Sequence, residues 1–235
     1  SGHAMNSTAV WGQSALETKN RKAIWSAVIL VMLISLSRLV LGVHFLSDVL
    51  LGLLLGVLLL VVFSKSQRTL GAWLKKQTLK NQILLAFFSS LFLIGLNAMV
   101  IALSSRWQMP AEWAALAGEV TPLSLEGALT TSGLWFGMLG GFAWLRARRG
   151  VIQSNFGTWQ RVIRYLVGIA GVVVLYAGLG SLFPDDPDLK SGFLRYLRYF
   201  LIGLWISCVS PLLFEQLKIG RIEPDFEPSS TAPLP

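Results

Sequence analysis

Ser37-Arg38-Leu39-Val40-Leu41-Gly42-Val43-His44-Phe45-Leu46-Ser47-Asp48 closes an apolar run that begins at Ala23. At about 1.5 Å per residue, the run from Ala23 to Leu41 is long enough to cross a hydrocarbon core about 30 Å thick. An arginine, a histidine and an aspartate thus sit at the end of a membrane-spanning pattern, where ionisable groups are costly and functional by default. His44 and Asp48 are four residues apart and fall on one helix face. There the carboxylate can accept the proton of one ring nitrogen and leave the other free to attack or bind. Gly42 is expected to end the preceding helix and let Arg38 turn back toward His44.

The composition agrees with a chain that lives in lipid. Of 235 residues, 54% are hydrophobic and 14% charged, and the mean hydropathy is +0.61. That is far from a soluble average and reads as an integral membrane protein. The net charge of +8 does not point to nucleic acid, because the basic residues lie in short clusters between apolar runs rather than along one polar face. Cys208 is the only cysteine and lies in an apolar run, so it reads as a small buried hydrophobe.

Outward from the opening stretch, the pattern predicts an all-α, polytopic transmembrane bundle of about six spans plus a buried N-terminal helix. Ala4 to Lys19 mixes Val10, Trp11 and Leu16 with Asn6, Ser7, Thr8, Gln13 and Ser14, too polar to face lipid all round. The spans are Ala23 to Leu41, Phe45 to Phe63, Ile83 to Leu103, Ala128 to Leu145, Val162 to Phe183 and Phe193 to Phe214. Gly52 and Gly56 have the small-xxx-small spacing of close helix contacts. Four segments follow: 1–64 with the motif residues, a basic interfacial linker over 65–81, appended transmembrane helices over 82–214, and a polar tail over 215–235 that reads as disordered.

The loops alternate between basic clusters, such as Lys75 and Arg148, and acidic or aromatic turns, such as Glu112 with Trp113 and Asp185 with Asp186. The positive-inside rule puts the basic loops in the cytoplasm and returns Ser1 and His44 to one extracytoplasmic side. Arg195 and Arg198 break this pattern and are read as snorkelling or pairing with Asp185, Asp186 or Asp188 rather than as catalytic. Trp73, Trp107 and Trp113 read as an interfacial belt.

The Ser-Arg-x5-His-x3-Asp block of Ser37, Arg38, His44 and Asp48, with Ser1, Gly2 and His3 upstream, resembles the type 2 phosphatidic acid phosphatase superfamily. Its members carry a Pro-Ser-Gly-His block and a Ser-Arg-x5-His-x3-Asp block at one mouth of a helical bundle. The resemblance covers about Ser1 to Phe63. The family's third block, Lys-x6-Arg-Pro, has no match in the chain and is expected upstream, on a longer protein, so that this chain alone is expected to turn over poorly. The resemblance implies a phosphatase of the bacterial-type cytoplasmic (inner) membrane, with membrane lipids around it and a lipid phosphate or diphosphate as substrate. Polyprenyl diphosphate, phosphatidylglycerol phosphate and phosphatidic acid are the family-level choices.

The chemistry of the residues fits that implication. Arg38 offers a planar fork to two phosphate oxygens, and Ser1 with the amides of Gly2 and His3 opens a helix, a ready anion site. His44 is the in-line nucleophile and Asp48 holds its tautomer. His3, by the resemblance, is the general acid for the departing alkoxide. Ser37 joins the phosphate site by resemblance, its alternative being a hydrogen bond to its own helix backbone. No carboxylate or histidine cluster with ligand spacing appears elsewhere, so the reading needs neither metal nor cofactor. Two other functions stay open: transfer of the same phosphoryl group to a lipid or sugar hydroxyl, and a non-catalytic bundle that retains the motif.

Overall fold

The computed structural model describes residues 1–110, 123–153, 156–183 and 188–224. The chain divides into two compact units, Ser1–Lys76 and Gln77–Pro235.

The first unit holds three helices: α1 (Gly2–Thr18), α2 (Arg21–Val40) and α3 (Leu46–Lys75). α1 ends at Lys19 in the left-handed conformation, and Asn20 then starts α2 by accepting the Lys22 amide at 2.9 Å. α1 and α3 run parallel and touch at the backbone, as the small-residue spacing predicts. A side chain at Gly52 would collide with the Ser1 carbonyl, and one at Gly56 with the Met5 carbonyl and Thr8. The buried face of α1 is accordingly small, Ala4, Ser7, Thr8 and Ala15, and the two hydroxyls bond back to the Ala4 carbonyl. The expected burial of α1 holds for this face alone, since Val10, Trp11 and Leu16 are exposed and suited to lipid. Farther along, Gln13, Glu17, Ser64 and Gln67 form a polar clasp between the two helices. α3 continues unbroken for 30 residues, about 45 Å, which carries Arg68 and Lys75 beyond a hydrocarbon core of about 30 Å.

The second unit begins with α4 (Leu79–Leu103), capped by Thr78, and continues with α5 (Glu126–Arg148), α6 (Thr158–Leu182) and α7 (Leu189–Leu204). The last helix passes through a π-helical turn, Trp205–Val209, into α8 (Ser210–Gln216). Pro211 lacks an amide hydrogen and cannot take its place in the i to i−4 ladder, and the wider turn forms just before it. α5 and α7 run parallel in contact along a stripe of Gly133, Gly137 and Gly141, where added side chains would strike the Tyr196 carbonyl, the Phe200 carbonyl and the Ser207 hydroxyl. α4 packs on α5, where Trp135 donates to Ser89 at 2.9 Å, and reaches α7 through a hydrogen bond of 2.8 Å between Ser90 and Tyr196. α6 packs on α7 through Gly171, which lies against the Trp205 ring, while the Trp205 indole donates to the Gly168 carbonyl at 3.0 Å.

Five helical stretches among the described residues are long and apolar enough to cross a membrane: α2, α3, α4, α6 and the continuous Leu189–Gln216. The expected span near 128–145 is the 23-residue α5, long enough to cross but diluted in hydropathy by glycine, serine and threonine. Those small residues face helix neighbours rather than lipid: Ser132, Gly133, Gly137 and Gly141 are all buried.

Of the polar tail expected over 215–235, residues 225–235 lie outside the described residues, and the part up to Pro224 is tied to the rest of the unit. Arg149 binds Glu215 at 2.5 Å, and β2 (Ile222–Glu223) pairs antiparallel with β1 (Val151–Ile152). Gly150, at φ 114°, makes the close approach to Glu223 that a side chain would block. The apolar residue that directs this return is Ile222, buried with Leu145 and Cys208.

Candidate active site

The residues singled out by the sequence are placed by three helix ends of the first unit. α2 stops at Leu41, and Gly42 follows in the left-handed conformation at φ 67°, which glycine adopts at least cost. The Gly42 amide bonds to the Leu39 carbonyl and the Val43 amide to the Arg38 carbonyl, both C-terminal orphans of the helix. Two residues later Phe45 starts α3.

Asp48 occupies the first turn of α3 and serves two neighbours through one oxygen. Its Oδ2 accepts the Phe45 amide at 3.1 Å and lies 3.7 Å from His44 Nδ1. The first contact fixes the carboxylate on its own helix, favourable there because a negative charge meets the positive end of the helix dipole. The second points Nδ1 of His44 at the carboxylate and leaves Nε2 as the nitrogen available for chemistry.

Ser1 caps α1 by accepting the Ala4 amide at 3.5 Å, and its backbone nitrogen meets the Asp48 carbonyl at 2.5 Å. The Gly52 contact seats the start of α1 beside the start of α3. One residue on, His3 faces His44 with ring centroids 6.3 Å apart and planes tilted by 59°. That separation lets one phosphate group at the rim of the pair touch both rings. His3 and Gly2 are exposed, and His44 and Asp48 are half-buried, as a site open to a large substrate requires.

Arg38 and Ser37 stand apart from this cluster. The Ser37 hydroxyl donates to the Ile34 carbonyl at 2.7 Å and is exposed, the backbone-bonded arrangement. The Arg38 side chain has no hydrogen bond or ion pair among the described residues, and its Nε is buried without a partner. A buried guanidinium nitrogen left unpaired is costly, and an anion is what relieves it. The structure thus brings together Ser1, His3, His44 and Asp48, and leaves Arg38 unpaired at the end of the adjoining helix.

The site and fold agree with the comparisons to known proteins. The family model described as the PAP2 superfamily matches residues 1–72, and that described as PAP2 superfamily phosphatase, transmembrane extension, matches residues 129–222. The chain belongs to the type 2 phosphatidic acid phosphatase superfamily, and is a multi-pass membrane protein of its phosphatase class. No curated protein and no solved structure matches it. The helices beyond α3, expected from sequence as an appended bundle, are in large part this transmembrane extension.

Arg195 and Arg198, set aside as interfacial in the sequence, have partners that only the fold supplies. Arg195 meets Glu126 at 3.1 Å, and Arg198 lies over the rings of Tyr176 and Tyr199. Of the partners expected for them, Asp185 and Asp186 lie outside the described residues, as do Glu112 and Trp113, while Asp188 caps α7 by accepting the Ser191 amide at 2.7 Å.

Proposed function

We propose that this membrane phosphatase removes phosphate from a lipid phosphate or diphosphate by way of a phosphohistidine at His44, without a metal. The observation that carries the reading is the meeting of His3 and His44, 6.3 Å between ring centroids, with Asp48 beside Nδ1 of His44. Nε2 of His44 attacks phosphorus as the bond to the lipid oxygen breaks, and the departing alkoxide takes a proton from His3. Water then attacks phosphorus, giving a proton to His3 as the bond from phosphorus to Nε2 of His44 breaks and inorganic phosphate leaves, so both histidines return to their starting states. Asp48 stabilises the charge on the His44 ring through both steps. Arg38 is the cation for the equatorial oxygens, and Ser1 with the first amides of α1 adds donors. Ser37 contributes less, its proton being held by Ile34.

The reading places the site on the extracytoplasmic side of a bacterial-type cytoplasmic membrane, supported by the alternation of basic and acidic loops. The decisive experiment is acid-quench trapping with a labelled lipid phosphate and the whole protein. Label on a histidine, lost in His44→Ala and unaffected by a chelator, is the expected result. Label retained in His44→Ala removes the nucleophile from this scheme, and label passed to an added lipid alcohol rather than water makes the enzyme a phosphotransferase. Single-cysteine labelling supplies the orientation: position 44 is expected to react from outside and position 148 only after permeabilisation.

A further inference from the structure

We propose that Arg198, with Tyr176 and Tyr199, forms a second phosphate-binding site in the transmembrane extension, one that holds the phosphate of an anionic membrane lipid. Arg198 is nine residues into α7, about 13 Å along the axis from Leu189, within a stretch long and apolar enough to cross the membrane. An arginine at such a place is expected either to reach water or to be paired. Among the described residues it has no ion pair. The Tyr176 and Tyr199 rings lie 4.6 and 5.2 Å from the guanidinium carbon, so the group is held between α6 and α7. Among these residues its Nε has no partner, and its one polar contact is a long 3.5 Å bond from Nη2 to the Tyr199 hydroxyl.

The neighbouring charge shows what neutralisation looks like here. Arg195, one turn earlier, has the Glu126 carboxylate at 3.1 Å, whereas no ion pair of Arg198 is found among the described residues. The space around Arg198 is also cut to receive it. Gly180 lies one turn beyond Tyr176 on α6, and a side chain there would sit 2.9 Å from Arg198 Nη1. Two aromatic faces thus shield the charge by cation–π contact, and the glycine lets Nη1 lie close against α6, while Nε keeps an unmet donor for an oxyanion. Tyr199 accepts from Arg198 and keeps its own proton to donate outward. A tetrahedral oxyanion answers this set of donors. The lipid, rather than free phosphate, is favoured as its source because the flank is apolar and exposed, with Val173, Tyr176 and Leu182 more than half accessible.

The site stands without the chemistry assigned to His44, and one experiment reads the two separately. The whole protein as His44→Ala is placed in bilayer nanodiscs with photoactivatable phosphatidic acid or photoactivatable phosphatidylcholine, and adducts are mapped by mass. Adducts within residues 1–48 report the catalytic reading, and adducts within 173–199 report this one. Phosphatidic acid is expected to label 173–199 in preference to phosphatidylcholine. Arg198→Gln is expected to lower that adduct about tenfold and Arg198→Lys about threefold, since lysine keeps the charge but not the fork. Adducts at 1–48 stay unchanged in both variants and show that they fold. Equal labelling by the two lipids, or unchanged labelling in Arg198→Lys, overturns the proposal, and the lysine variant decides alone if the glutamine variant does not fold. Loss of the 173–199 adduct on adding millimolar inorganic phosphate overturns the lipid as its occupant.

Discussion

The two units are built on one plan and use it differently. In each, a parallel helix pair, α1 with α3 or α5 with α7, meets at glycines four residues apart while the helix between them crosses back. In the first unit the contact runs from Gly52 against Ser1, through Gly56, to the clasp of Gln13, Glu17, Ser64 and Gln67, and the site candidates Ser1, His3, His44 and Asp48 gather at its first end. In the second it runs on through Gly133, Gly137 and Gly141, and its polar side chains are largely settled in pairs, Ser90 with Tyr196, Trp135 with Ser89 and Arg195 with Glu126. The first contact fixes the register of polar groups left open at its end, whereas the second secures a pair of helices whose polar groups bond to one another.

The largest test of this contrast is Asp48→Asn. It leaves the phosphate contacts and the bond from Phe45 geometrically possible but removes the charge beside His44, and turnover is expected to fall by about a thousandfold with KM little changed. Steady-state kinetics check it, and a loss confined to KM would place Asp48 in binding instead. His3→Ala is next, with a loss of about a hundredfold on alkyl phosphates and little on nitrophenyl phosphate, whose phenolate leaves without a proton. Equal losses on both would remove the acid role from His3.

The glycines come next and bear on the contrast directly. Gly52→Ala pushes on the Ser1 carbonyl and is expected to lower turnover more than it lowers thermal stability. Gly137→Ala pushes on the Phe200 carbonyl and is expected to destabilise by about 1–3 kcal/mol without changing kcat of the folded fraction, while Gly127→Ala, with open space around it, has no effect. Thermal unfolding followed by tryptophan fluorescence, read beside kcat, separates the cases, and a fall in kcat for Gly137→Ala would erase the distinction between the units. The smallest effect is that of Arg149→Ala, which breaks an exposed pair with Glu215 and is expected to change stability by less than about 1 kcal/mol.

What the sequence revealed depended on whether the signal was local. The four-residue spacing of His44 and Asp48, the stop at Gly42 and the contact glycines Gly52 and Gly56 are properties of one helix or one turn, and the structure bears out their geometry. Counting spans also brought Ser1 to the side of the chain that holds His44. Contacts across the chain left no such trace. Glu126 and Arg195 are far apart in sequence, and the glycines of α5 identify a close contact without saying that α7 makes it. The start of the tail shared the polar reading given to 215–235, yet within the described residues Ile222 is buried against Leu145, a contact that no local pattern announces.

The π-helical turn at Trp205–Val209 has a consequence for how this chain tolerates insertion and deletion. One residue is about 100° of rotation in an α-helix. Such a turn holds one residue more than the α-helical turn it replaces, so deleting Ile206 lets the ladder close in ordinary α geometry and leaves everything downstream nearly in phase. The same deletion a few residues earlier, in the α-helical part, rotates the chain beyond it by about 100°, and Glu215 then swings away from Arg149 while Ile222 loses its approach to Val151 and Ile152. The last span thus carries one residue of slack, at the one place where the chain can be shortened and keep these contacts.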